Sequence, residues 1–313
     1  MTTAERTRTA SSFRRKTLHE LRTAIKHKGP SDFAFECISS GPIFQRQIQE
    51  RLQNPYHIRQ GNTPLCGPAA FIYCIAKHFP EQYERYALEL ALYGKGRIGD
   101  LVIEPSNDCL NAKDGLLFDN DGFNFSPVDW VTLASVRDST NLFASMDGPG
   151  SNIAGMTFPG ALEAWFEETG LFAQVEEHTS TIVSSSYANL LRANEKFKAG
   201  HCVCLLIQGS IIGNLGGIEL GVNKFQKETP KTAAAIPNHW VVQTTQMMID
   251  QKRAPHPGTR PIEESINSSL DFDLHSWGIN GKSYPVNNRI NEMTPDKFTR
   301  YYHGFVSARP REE

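Results

Sequence analysis

Six consecutive apolar residues, Cys202-Val203-Cys204-Leu205-Leu206-Ile207, interrupt the helical spacing that dominates the chain before them. A run this short and continuous reads as a buried strand. Two more strands are expected after it. His239-Trp240-Val241-Val242-Gln243-Thr244-Thr245 is β-branched and aromatic, and Leu270 to Trp277 alternates in character. Upstream, helical patterns cover Pro68 to His78, Glu81 to Tyr93, Val128 to Val136, Phe158 to Thr169 and Tyr187 to Ala199. Pro159 suits a first helical turn, and Gly170 and Gly200 suit helix ends. Helices followed by strands predict an α+β fold with N-terminal helices packed on an antiparallel β-sheet, not alternating βαβ units.

The 313 residues fit one large domain with extensions or two smaller ones. Eight basic side chains against two acidic ones mark residues 1–30, and the expected division is a basic extension over 1–50 and a main domain over 51–313. That basic end is expected to be solvated, with docking on an acidic partner as the alternative. Over the whole chain 32 basic and 34 acidic side chains nearly cancel, so no net field points to nucleic acid. No stretch reaches the roughly 18 apolar residues of a membrane span. The N-terminal basic residues precede no apolar run, so no Sec export signal is expected. Six cysteines without disulfide-framework spacing predict reduced thiols.

Most of those cysteines read as core. Cys74 lies in an apolar helix, and Cys202 and Cys204 share one strand face; His201 beside them suggests a metal site, but no second ligand pair has suitable spacing. No metal or cofactor is expected. Gly213-Asn214-Leu215-Gly216-Gly217 lacks either phosphate-binding glycine pattern and reads as a loop. Residues 145–156, 209–237 and 251–268 read as long loops.

Cys66 is different. It sits in Gln60-Gly61-Asn62-Thr63-Pro64-Leu65-Cys66-Gly67-Pro68, where Pro64 favours an extended approach and Pro68 suits a first helical turn. A thiol at a helix N-terminus is activated by the dipole, and more so beside an imidazolium. His239 is the expected base, with His201 and His275 as alternatives. Acyl transfer also needs donors for the developing oxyanion; Gln60 and the Cys66 backbone N–H are candidates, with Asn62 as a further donor.

Gln60, five intervening residues and then Cys66-Gly67-Pro68-Ala69 at the head of an apolar helix resemble the papain-like cysteine peptidase superfamily, especially its bacterial peptidase and effector-toxin branches. Asn238-His239-Trp240-Val241-Val242 and Ser276-Trp277-Gly278 follow in the same order. The resemblance spans roughly residues 60–280 and implies a papain-like fold and a thiol hydrolase acting on an amide as protease, deamidase or peptidoglycan amidase. Transglutaminase-like acyl transfer and an inactive papain-fold binding module are the alternatives. It implies a His-orienting residue on the strand after His239, where Asp273 and Ser276 both stand. It further suggests a type VI-like effector made in the bacterial cytoplasm, exported without Sec, with a protein or peptide substrate and an immunity protein as partner.

Overall fold

The computed structural model describes residues 16–61, 63–112, 126–140, 157–211, 237–254, 265–276, 281–286 and 292–312. Within them the α+β class holds. Helices α1 (Leu18–Lys26), α2 (Gly41–Gln53), α3 (Cys66–His78) and α4 (Pro80–Tyr93) come first. A hairpin, β1 (Gly96–Ile98) with β2 (Leu101–Ile103), and the single turn α5 (Asn107–Leu110) follow. The next segment, α6, runs from Pro127–Asp129 through a π-wound turn at Trp130–Ala134 to Ser135–Ser139. Then come α7 (Pro159–Glu168), β3 (Phe172–Thr179), α8 (Tyr187–Lys198) and β4 (Cys202–Ile207). The rest is β5 (His239–Gln243), β6 (Met248–Ile249), β7 (Lys252–Arg253), β8 (Leu270–Asp271), β9 (Asp273–His275), β10 (Tyr284–Pro285), α9 (Pro295–Thr299) and β11 (Tyr302–Pro310).

The main sheet has the order β10-β9-β5-β4-β11-β3 and is antiparallel throughout. Both faces are covered, which explains why β4 is apolar at every position. Cys202, Cys204 and Leu206 enter the core beneath α3, α4, α6 and α7, whereas Val203, Leu205 and Ile207 enter the core against α8. Each such aliphatic side chain stabilises the fold by about 1.5–3 kcal/mol relative to exposure. Helix α3 is buried at every residue from Cys66 to Ala76. Its uniformly apolar composition is that of an interior helix, not an amphipathic one.

Three features depart from expectation. Leu270 to Trp277 does not form one strand: β8 pairs with β6 in a small separate sheet, and β9 pairs with β5 in the main one. The break is at Phe272, which is buried and accepts the Val286 N–H. Strands β3 and β11 have no clear counterpart in the sequence pattern, yet β11 is the longest strand and bridges β3 to β4. Finally, residues 16–50 of the expected extension contribute Leu21, Ile25, Phe35, Phe44 and Ile48 to the same core as α3. Helix α1 is fixed by a capping box between Thr17 and Glu20 and by a bidentate ion pair from Arg22 to Glu84 on α4.

Candidate active site

Cys66 is the first residue of α3, following Leu65, and no side chain caps that helix. The unused N–H groups of the first turn are therefore available to an anion. Pro68 has none to offer, and the first intrahelical bond runs from Ala69 N to Leu65 O. The backbone N–H groups of Cys66, Gly67 and Trp240 lie close enough to the sulfur to favour its charged form. Gly67 is required by packing: a Cβ there would lie 2.4 Å from the Cβ and Oγ1 of Thr157.

The Trp240 contact brings Cys66 against the start of β5, because Trp240 directly follows His239. His239 is the first residue of that strand, and its Nε2 lies 2.7 Å from Ser276 Oγ. Which atom donates depends on the imidazole tautomer. Both side chains are buried. Of the two candidates for the orienting residue, the structure joins Ser276 to His239 and takes Asp273 elsewhere. Asp273 accepts from Ser283 Oγ at 2.9 Å, and its backbone carbonyl bonds Thr244 N. Thr244 is five residues along from His239, about 16 Å at the rise of a strand.

Gln60 is buried just before α3, where its side-chain amide donates one hydrogen to Thr63 O at 3.1 Å and its backbone carbonyl accepts from Thr63 Oγ1. That exchange fixes the loop leading into Cys66. Asn62 and Trp277 lie outside the described residues, as do 145–156 and Gly213 to Gly217.

Burial governs the electrostatics of Cys66 and His239. It pushes the Cys66 thiol above its ordinary value, against the pull of the three N–H groups and of the Arg137 guanidinium on α6. It also pushes the His239 imidazole down to about 4. Two neutral groups are thus favoured at pH 7, not the ion pair that a helix terminus and an exposed imidazole produce. Arg137 has no sequence motif, and its nearness to Cys66 emerges only when α6 packs beside α3.

The other histidine and cysteine candidates belong to the interior. His275 stacks on Tyr73 with ring centroids 4.3 Å apart and meets Tyr56 edge-on. Its two ring nitrogens are buried without a hydrogen-bond partner among the described residues, and burial pushes its imidazole down to about 3. Cys74 meets the thiols of Cys202 and Cys204 beneath α3, and His201 directly precedes β4 with Nδ1 unpartnered among the described residues. Among the described residues no group of His, Cys, Asp and Glu side chains is arranged to hold a metal ion, and no helix is long and apolar enough to cross a membrane.

A cleft of about 270 Å³ opens beside the Cys66 sulfur. Its wall comprises Pro64, Thr157, Phe158 and Pro159 from the segments leading into α3 and α7, Leu206, Pro237, Asn238 and Trp240 from the sheet, and Thr181. Asn238 and Trp240 are the chain neighbours of His239, so the start of β5 borders the cleft that Cys66 lines. That geometry allows a reacting carbonyl to enter from the cleft with a thiol at its edge. Comparison with known proteins returns no matching family model, no similar characterised protein and no similar solved structure.

Proposed function

We propose that the chain is a papain-like thiol hydrolase that cleaves an amide bond, with Cys66 as nucleophile, His239 as base and Ser276 as the residue that orients the imidazole. One arrangement carries the reading: a cysteine on the first turn of a buried, uncapped helix lies against the Trp240 N–H, while the adjacent His239 is held by Ser276 at 2.7 Å beside an open cleft. Structural cysteines have no need of a neighbouring histidine and a cleft together.

In this reading His239 takes the thiol proton as sulfur attacks the carbonyl carbon, so the proton moves during attack and not before it. The Cys66 N–H and the second amide hydrogen of Gln60 serve the oxyanion. His239 then returns the proton to the departing nitrogen, leaving a thioester. Water attacks the thioester, His239 takes its proton, and the thiol is released on transfer of that proton to sulfur. An amine in place of water turns the same residues to acyl transfer.

The test is alkylation by a peptidyl chloromethyl ketone, followed by intact mass and peptide mapping. The wild type is expected to gain one adduct at Cys66, and His239→Ala to lose at least about 10²-fold in rate. Equal, slow labelling of both would instead favour a binding module in which Cys66 is a packed thiol. The effector role belongs to the same proposal: wild-type protein, but not Cys66→Ala, is expected to arrest growth when made in a target compartment.

A further inference from the structure

The cleft beside Cys66 has a composition that narrows the substrate. Among the described residues, its wall is apolar apart from Cys66, Thr157, Thr181 and Asn238, and none of the lining side chains is charged. Asn238 is already engaged, its Oδ1 accepting the Gly209 N–H at 2.7 Å. The apolar surface does not stop at the cleft. Phe158, in the wall, is 62 % exposed, and Ile182 and Val183, which follow the wall residue Thr181, are 80 % and 63 % exposed.

Three of the six exposed large hydrophobic side chains of the described residues thus stand in, or directly follow, the wall of one cleft. Scattered single exposures are ordinary, but a group of them around a concave site marks a binding surface. The turn carrying Ile182 and Val183 is held at both ends, by Ser180 N to His303 O and by Ser185 N to Tyr302 O. These side chains are therefore presented by an anchored turn.

Building on the hydrolase reading, we propose that the cleft and its rim bind an apolar peptide segment, with a leucine- or phenylalanine-sized side chain on the acyl side of the scissile bond. A charged neighbour, such as the carboxylates of a peptidoglycan stem, loses hydration on entering and finds no countercharge among the described lining residues. An apolar side chain gains by leaving water. Selectivity then comes from Phe158, Leu206 and Trp240 within the cleft and from Ile182 at its rim.

The experiment compares two alkylating probes, the chloromethyl ketones of acetyl-Ala-Phe and acetyl-Ala-Asp. In either case the Cys66–carbon bond forms, the carbon–chlorine bond breaks, chloride leaves and the thiol proton passes to His239. Wild type is expected to react with the Phe probe at least about 10-fold faster than with the Asp probe, relative to the same ratio for free glutathione. Phe158→Asp and Ile182→Asp, both at exposed positions, are expected to bring that ratio toward one without a change in melting temperature. Equal reaction with both probes, at rates that still depend on His239, overturns the apolar specificity and leaves the hydrolase reading standing. Failure of Cys66 to react with either probe overturns both.

Discussion

His239 Nε2 and Ser276 Oγ meet at 2.7 Å inside the sheet, with 5 % and 2 % of their residues exposed. The bond crosses from β5 to the residue after β9, so the Ser276 hydroxyl helps to set the angle of the imidazole. Ser276→Ala is expected to lower kcat about 3- to 10-fold with little change in KM, the equivalent of one neutral hydrogen bond. Ser276→Asn is expected to recover part of the loss. Steady-state kinetics on an amide substrate checks this; an unchanged kcat in Ser276→Ala would remove Ser276 from the site.

Acid lability follows from the two buried imidazoles. His239 is held down to about 4 and His275 to about 3, against an ordinary 6.5. The unfolded chain therefore binds protons between those values and 6.5 that the native chain refuses. Stability is full above about pH 6.5 and falls as the pH drops toward 4, each group contributing on the order of a few kcal/mol. Urea midpoints at pH 7, 5.5 and 4.5 are expected to fall in that order. His275→Leu, which removes two unpartnered ring nitrogens, is expected to flatten the curve; a wild-type midpoint independent of pH over this range contradicts the account.

Arg51 and Asp129 form the most deeply buried ion pair of the helical layer, bidentate at 2.8 and 2.6 Å. It ties α2 to the first turn of α6, the segment that carries Arg137 toward Cys66. Asp129→Ala leaves the buried guanidinium, among the described residues, with only Glu50 at 3.7 Å and the Gln47 carbonyl as partners, and is expected to cost about 3 kcal/mol. Arg51→Met with Asp129→Leu is expected to restore much of that loss. Denaturant unfolding of the single and double variants measures it, and a single-variant loss below about 1 kcal/mol would count against the pair as an anchor.

Gly67 offers a separate probe of the seam. Its missing Cβ makes room for Thr157, whose backbone carbonyl accepts the Trp240 indole N–H at 3.0 Å. Gly67→Ala is expected to destabilise by about 1–3 kcal/mol through overpacking and to slow Cys66 alkylation by displacing Trp240. Thr157→Gly in the same chain is expected to return both. Differential scanning calorimetry beside alkylation rates decides it; a neutral Gly67→Ala would show that the wall yields easily.

Local chemistry in the sequence was enough for helices α3, α4, α6, α7 and α8, though not for α1 and α2, and for the position of Cys66 at a helix start, because Pro64, Gly67 and Pro68 constrain the backbone within a few residues. It was also enough for β4 and β5, whose apolar and β-branched runs report burial on both faces. Strand β11 was not legible, since its pairing with β3 and β4 joins residues distant in the chain, from Tyr302 with Ile207 to Pro310 with Phe172. The choice between Asp273 and Ser276 was likewise out of reach: both lie on one short stretch, and only the register of β9 on β5, with the break at Phe272, decides which one meets His239. The same holds for the charge state of the site. Sequence spacing suggests an activated thiolate at Cys66, but burial is a property of the packed whole, and it is burial that leaves both thiol and imidazole neutral.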